Sequence, residues 1–340
     1  MNQVPLFLAP MEGVSDLAYR LLAKECGADF TITEFTSSSG LSRNAERSWK
    51  KMVTDSRESP FIPQIFGGNV DEMVETVRLL CEEGKASIID INFGCPAPKV
   101  CRSWAGAAMM GDPDRLVSLV QACIDESNLP ITAKLRLGTG SGPDTILEIS
   151  KRLEDIGVSR ICIHGRTLKQ RYSGIANWST ISRVVDSVSI PVVANGDITN
   201  SESALRCLEE TGAAGLMIGR AAIGNPQIFH NIKSELGWVT KSAPWVTQNL
   251  DKWNSSSETE QKFIARSWAW KRYLQYAEET KTMSLKSIRR HGISFTKHLP
   301  GGSNFRSQIH LTKDLNHNSK LILDWLESFA FTQETTNSIA

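Results

Sequence analysis

The chain has 340 residues, 41% of them hydrophobic, with 38 basic and 37 acidic side chains for a formal net charge of +1. That length suits one large domain with an appendage, or two domains. The balanced charge sets up no global field toward nucleic acid or a membrane, and no apolar run is long enough to cross a bilayer.

The chain starts with an apolar stretch, residues 4–8, that lacks the basic lead and long apolar core of a secretory signal. Short β-branched or apolar runs then recur at 6–9, 30–33, 62–66, 88–91, 131–135, 160–163, 190–194 and 214–218, each bounded by Gly, Pro or Asn. Between them lie helical patterns. Residues 71–83 open on acids and stop at Gly84, 144–156 stop at Gly157, and 201–211 stop at Gly212. Eight strands alternating with helices predict a parallel α/β sheet, and eight is the number that closes a (β/α)8 TIM barrel. An open doubly wound sheet is the alternative, but Ala9-Pro10-Met11-Glu12-Gly13 stands where its glycine-rich turn belongs.

From about residue 255 the strands disappear. Helical patterns cover 257–282, 284–298 and 320–331, with Pro300-Gly301-Gly302 as a break. The predicted organisation is a barrel over 1–238, a linker over 239–254, a small all-helical domain over 255–332 and a tail over 333–340. Trp238, Trp245 and Trp253 are expected to pack that linker segment on the barrel; stacking on RNA bases is the other reading. Residues 281–313 hold seven Lys or Arg and no Asp or Glu, an electrostatic footprint for phosphates. Lys286, Arg289, Arg290, Lys297 and Arg306 are the candidate backbone contacts. A basic face balanced by acids elsewhere is the plainer alternative.

Barrel enzymes build their sites from the loops after the strands. After the fourth run stands Asn92-Phe93-Gly94-Cys95-Pro96, in which Pro96 holds Cys95 extended. A buried apolar thiol is one reading of Cys95 and a general acid is the other, because an ordinary thiol is protonated at neutral pH. Asn195-Gly196-Asp197 and Gly219-Arg220 end the last two runs, where barrels commonly hold a phosphate; two ordinary glycine turns are the alternative. Gln64 and Lys134 would face the same mouth and suit a flat heterocycle such as a reduced flavin. Seven scattered cysteines without a C-x-x-C pair argue for reduced thiols and a cytoplasmic setting, and Cys95 with Cys101 lacks the companions of a metal site.

With those residues in view, the chain resembles the tRNA-dihydrouridine synthases. The resemblance rests on Ala9-Pro10-Met11-Glu12-Gly13, Gln64-Ile65-Phe66-Gly67, Asn92-Phe93-Gly94-Cys95-Pro96, Lys134-Leu135-Arg136, His164-Gly165-Arg166, Ala194-Asn195-Gly196-Asp197 and Ile218-Gly219-Arg220, in the family's order. The chain start and Leu299-Pro300-Gly301 point to the bacterial B-type branch. The resemblance implies an oxidoreductase that reduces the C5–C6 double bond of a D-arm uridine in tRNA, with bound FMN and with NADPH as transient reductant. It makes Cys95 the proton donor to C5. It assigns FMN to Pro10, Met11, Glu12, Gln64, Lys134 and His164, with Asn195, Gly196, Asp197, Gly219 and Arg220. The target uracil falls to Asn92, Arg136 and Tyr172. It further implies a helical domain that grips tRNA, no obligate protein partner and a monomer. A dihydroorotate-dehydrogenase-like FMN enzyme, or a tRNA-binding module without chemistry, are the competing readings.

Overall fold

The structure is a computed structural model and describes residues 3–142 and 144–328. The chain forms two compact units, residues up to 16 with 28–219, and residues 17–27 with those from 220 onward.

The first unit is built on β1 (Leu6–Leu8), β2 (Phe30–Thr31), β3 (Thr36–Ser37), β4 (Gln64–Phe66), β5 (Ile89–Asn92), β6 (Ile131–Arg136), β7 (Arg160–His164), β8 (Val192–Asn195) and β9 (Gly215–Ile218). All neighbours pair in parallel, in the order β2-β1-β9-β8-β7-β6-β5-β4-β3. The two ends of this sheet, β2 and β3, are separated in sequence only by residues 32–35, so one stretch pairs with β1 on one side and β4 on the other. That makes it a closed barrel whose second stave is broken in the middle, with Thr33 bridging the gap. Its N–H donates to Ile62 O at 3.1 Å, and its hydroxyl accepts from Gln64 N–H at 2.9 Å. The eight predicted runs are the eight staves.

The staves read as apolar runs because parallel strands are buried on both faces. Phe7, Ile32, Ile62, Cys162, Val193 and Met217 meet in one cluster inside this unit. Helices Val70–Glu83, Pro113–Glu126, Trp178–Val185 and Ser201–Thr211 each begin under an Asn or Asp (Asn69, Asp112, Asn177, Asn200) whose side chain accepts a first-turn N–H. The helices at 113 and 178 fall outside the helical patterns of the sequence. Helix Ile146–Asp155 starts two residues later than its predicted beginning at 144.

The second unit is helical. Its longest element, Glu258–Glu279, opens with a capping box between Ser257 and Glu260. Around it lie Leu17–Glu25, Ile228–Glu235, Leu285–Phe295, Gly302–Leu311 and Leu315–Ser328. The core is aromatic: the His291 ring sits 5.1 Å from Tyr19 and 4.3 Å from Tyr273, and Trp270 stacks on Tyr273 at 5.6 Å. Tyr19 also donates its hydroxyl to Ala222 O, and Arg272 pairs with Glu25 at 2.9 Å. Helix Leu17–Glu25 is thus fastened to the C-terminal helices, although it follows β1 in sequence.

Three differences from the sequence reading stand out. Residues 220–238 group with the helical unit. The tryptophan segment, expected to pack on the barrel, buries Trp245 between His230 (5.4 Å) and Trp268 (5.3 Å), both in the second unit, because those rings offer it an aromatic slot. Helix Gly302–Leu311 follows directly on the Pro300-Gly301-Gly302 break, where no helix is predicted, starting from Gly301 in a left-handed conformation. The end of the last predicted helix, 329–331, and the tail at 333–340 lie outside the described residues. Among the described residues no helix is long and apolar enough to cross a membrane.

Candidate active site

The C-terminal ends of β4 to β8 bring most of the predicted residues into one hydrogen-bonded mouth. Cys95 is 7% exposed, just beyond β5. Its backbone N–H and that of Gly94 both donate to Asn92 Oδ1, at 2.9 and 3.1 Å, so the side chain that ends the strand also closes the turn. Ala107 N–H donates to Cys95 O at 3.1 Å from behind, and Cys101 Sγ lies 3.7 Å from the same oxygen. Burial pushes the Cys95 thiol above its ordinary pKa; a hydrogen bond from Ala97 N–H and the Arg136 charge oppose this only in part.

Lys134, on β6, is 8% exposed and donates to Asn195 Oδ1 at 3.2 Å. Burial pulls its ammonium below the ordinary lysine range, while Asp90 acts to hold the charge. Asn195 is fixed in turn by donating from Nδ2 to Met217 O at 2.7 Å. Gln64 is fully buried and its side chain makes two bonds, donating to Asp90 and accepting from Asn92.

Arg136 ties two loops together. Its Nε donates to Gly94 O at 2.7 Å, and its Nη1 to Thr167 O and Arg171 O at 3.0 and 2.8 Å. Its guanidinium also lies 5.7 Å from the ring of Tyr172, which is 54% exposed and 6.2 Å from the His164 ring. Three donors of a residue predicted to hold uracil are thus spent on backbone carbonyls, and among the described residues Nη2 has no hydrogen-bond partner.

Arg166, not among the predicted site residues, is 1% exposed and is the second tie. Its Nη2 meets both Asp197 oxygens, at 2.9 and 2.7 Å, and Gly174 O at 2.6 Å, while Nε donates to Ser173 O at 3.1 Å. Asp197 also accepts from Ala176 N–H at 2.7 Å, so its carboxylate braces the 173–177 segment. Gly196 has φ +121, and a Cβ there would stand 2.8 Å from Ala176 Cβ and 3.0 Å from His164 Cδ2; only glycine fits.

The first strand's loop contributes less. Glu12 is exposed and paired to Lys51 at 2.7 Å; Lys51 also stands 4.0 Å from Glu34, whose pKa burial raises. Pro10 and Met11 are half-buried. At Gly219 an added Cβ would touch only Ala9 and Met11, at 3.6 and 4.0 Å, so the backbone there stays open. Arg220, the next residue, begins the second unit and is exposed.

In the helical unit the five candidate tRNA contacts divide. Lys286 and Lys297 are exposed and Arg290 is half-buried. Arg289 donates to His310 O and Thr312 O, and Arg306 to Thr296 O at 3.3 Å, so both fasten helices together.

The family model described as dihydrouridine synthase matches residues 7–332. The chain belongs to the dihydrouridine synthase family. Among its relatives, the tRNA-dihydrouridine synthase B of Pseudomonas syringae pv. tomato is 35% identical over 309 residues, which is 91% of this chain and 87% of that protein. The tRNA-dihydrouridine synthase B of Xanthomonas axonopodis pv. citri is 39% identical over 227 residues, covering 67% and 68%. A probable tRNA-dihydrouridine synthase of Rhodobacter capsulatus is 41% identical over 233 residues, covering 68% and 72%.

Within this family the fold supplies the frame for a reductase. A closed barrel, a protonated thiol on a fixed turn, a buried ammonium and an exposed tyrosine gather at the strand ends. Asp90 and Arg166 are the parts sequence reasoning missed. Asp90 did leave a signal, a single acid inside an Ile-Ile-Asp-Ile run, since a buried charge requires partners.

Proposed function

We propose that this protein is a tRNA-dihydrouridine synthase that reduces the C5–C6 double bond of a D-arm uridine, using bound FMN and NADPH. The observation that carries the reading is Cys95, a thiol held in its protonated form by burial and fixed on a turn in the same mouth as the buried Lys134.

The residues present fit a flavin phosphate and ring. Lys134 has one hydrogen-bond partner among the described residues, and an anionic group beside it would offset the burial that lowers its pKa. The bare backbone at Gly196 and Gly219 admits close approach of a ligand, and Gln64 Oε1 keeps a lone pair. Lys134, Gln64, His164, Asn195, Gly196 and Gly219 would hold the group; Asp197 acts through the Arg166 brace. FMN bound here and reduced by NADPH would supply the hydride for C6 of the uracil.

The chain's own work is orientation and one proton. Tyr172 offers an exposed face for a uracil turned out of the tRNA stack, a motion costing about a few kcal/mol. Asn92 and the remaining donors of Arg136 orient the ring. Cys95 Sγ gives its proton to C5 as the hydride arrives at C6, and the resulting thiolate regains a proton from solvent. Because a thiol acid has to be protonated, its raised pKa favours the reaction rather than hindering it.

The test uses tRNA from a strain lacking this gene, with the purified protein, FMN and NADPH, and counts dihydrouridine per tRNA by mass spectrometry. The protein forms dihydrouridine, and Cys95→Ala retains FMN and its reduction by NADPH but forms almost none. Undiminished product from Cys95→Ala removes the thiol from the mechanism, and no product from the wild-type protein removes the function.

A further inference from the structure

Asp90 sits in the middle of β5 and is 2% exposed, and the mechanism above gives it no task. Both of its oxygens accept hydrogen bonds: Oδ2 from Gln64 Nε2 at 2.6 Å, and Oδ1 from the Thr132 hydroxyl at 2.5 Å. With both oxygens placed as acceptors, Asp90 commits the Gln64 Nε2 side of the amide to itself and so fixes which way round that amide stands. With Nε2 committed to Asp90, Gln64 Oε1 is turned to Asn92 and takes its Nδ2–H at 2.8 Å. That bond fixes the second amide. Asn92 Oδ1 is left facing the Gly94 and Cys95 N–H groups, at 3.1 and 2.9 Å. Reversing either amide sets acceptor against acceptor, or donor against donor, in a site sealed from water, where unmet polar groups are costly.

We infer that Asp90 is the positioning residue for the Cys95 thiol, acting through the Gln64 and Asn92 amides to set the turn on which the thiol stands. The inference deepens the reading of Cys95 as the proton donor and rests on it for its catalytic consequence. Its geometric content concerns the turn alone. One buried carboxylate therefore orients a residue proposed for the flavin, one proposed for uracil and the acid itself.

Three variants of the full chain test it: Asp90→Asn, Asp90→Leu, and the double variant Asp90→Leu with Gln64→Leu. Asparagine can still accept from Gln64 while donating to the Thr132 oxygen, so it preserves the relay. Leucine severs it. The double variant replaces both halves of the polar contact by apolar side chains, which favours folding while the relay stays cut. The first readout is peptide-resolved alkylation by iodoacetamide, with Cys123 and Cys207 as internal references; both are buried in helices of the first unit. Cys95 in Asp90→Leu and in the double variant alkylates about fivefold faster relative to those references, the shift expected from losing one hydrogen bond that holds the turn closed. Asp90→Asn stays within about twofold of wild type, the spread a retained hydrogen bond allows.

The second readout is dihydrouridine formation in a single turnover from flavin-loaded, pre-reduced enzyme, which falls by about tenfold or more in Asp90→Leu, because small misplacements of a reacting group are expensive. A purely architectural role would speed alkylation of all three thiols together. That outcome, or an unchanged Cys95 rate in both leucine variants, overturns the inference. If Cys95→Ala retains activity while the alkylation pattern appears as stated, the acid assignment fails and the positioning of the turn stands.

Discussion

Replacing Arg166 by methionine removes a buried guanidinium and keeps most of its aliphatic volume. The side chain is 2% exposed and its partner Asp197 is 27% exposed. Breaking a fully buried pair costs about 3–5 kcal/mol. Here the loss is smaller, because Ser173 and Gly174 are exposed and their carbonyls can turn to water, and Asp197 keeps the Ala176 N–H. A net loss of about 2–3 kcal/mol follows, or roughly 5–10 °C in melting temperature for a unit of this size. The local effect is sharper. Arg166 holds the 173–174 carbonyls and Arg136 those of 167 and 171, so the Tyr172 segment is fastened at both ends. Losing one end exposes the peptide bond after Arg171 to trypsin. Calorimetry and a timed trypsin digest read by mass spectrometry measure the two effects. Arg166→Lys should fall between, since an ammonium cannot span the same acceptors. A melting temperature within about 2 °C of wild type, a change expected of a surface position, together with an unchanged cut after Arg171, refutes the reasoning.

Burial raises the Cys95 pKa, so the acid form outlasts an ordinary thiol as pH rises. Uridine reduction in a single turnover from pre-reduced enzyme therefore falls to half only above the ordinary thiol range of about pH 8.5; a half-loss below about pH 8 contradicts the assignment. Lys286→Ala with Lys297→Ala lowers the slope of log affinity for tRNA against log salt by about 1.5, with little change in melting temperature because both are exposed. An unchanged slope removes them from the interface. Gly224→Ala would bring a Cβ to 2.2 Å from Ser294 O at φ +66; with no room to relax it should cost more than about 3 kcal/mol and deplete folded protein, measured by urea unfolding.

The barrel was legible because a fully buried parallel stave leaves an unbroken apolar run. Where a stave is held by pairing instead of composition the reading faltered. Thr36-Ser37 carries no apolar signal and is a strand only because β4 lies beside it. Helix Gly302–Leu311 was hidden by the two glycines at its start, the first of which sets its entry angle. In the site, residue types at strand ends pointed to the mouth, and the structure brings Gln64, Asn92, Cys95, Lys134, Arg136, His164, Tyr172 and Asn195 together there. What sequence could not tell is how a guanidinium divides its donors. Arg136 and Arg289 read as ligand-facing charges and instead spend much of their capacity on carbonyls, a choice fixed by backbone positions far apart in the chain.

Helix Leu17–Glu25 has one more consequence. Its partners, Tyr273, His291 and Phe295, leave the ribosome about 250 residues after it does. During synthesis this early segment has no permanent neighbour, and the barrel's own chain is complete before the helix can dock. Neither unit is a continuous piece of sequence, so no single cut separates them. Expressing residues 1–219 leaves that helix with its aromatic face bare, and expressing the remainder leaves the aromatic core without Tyr19.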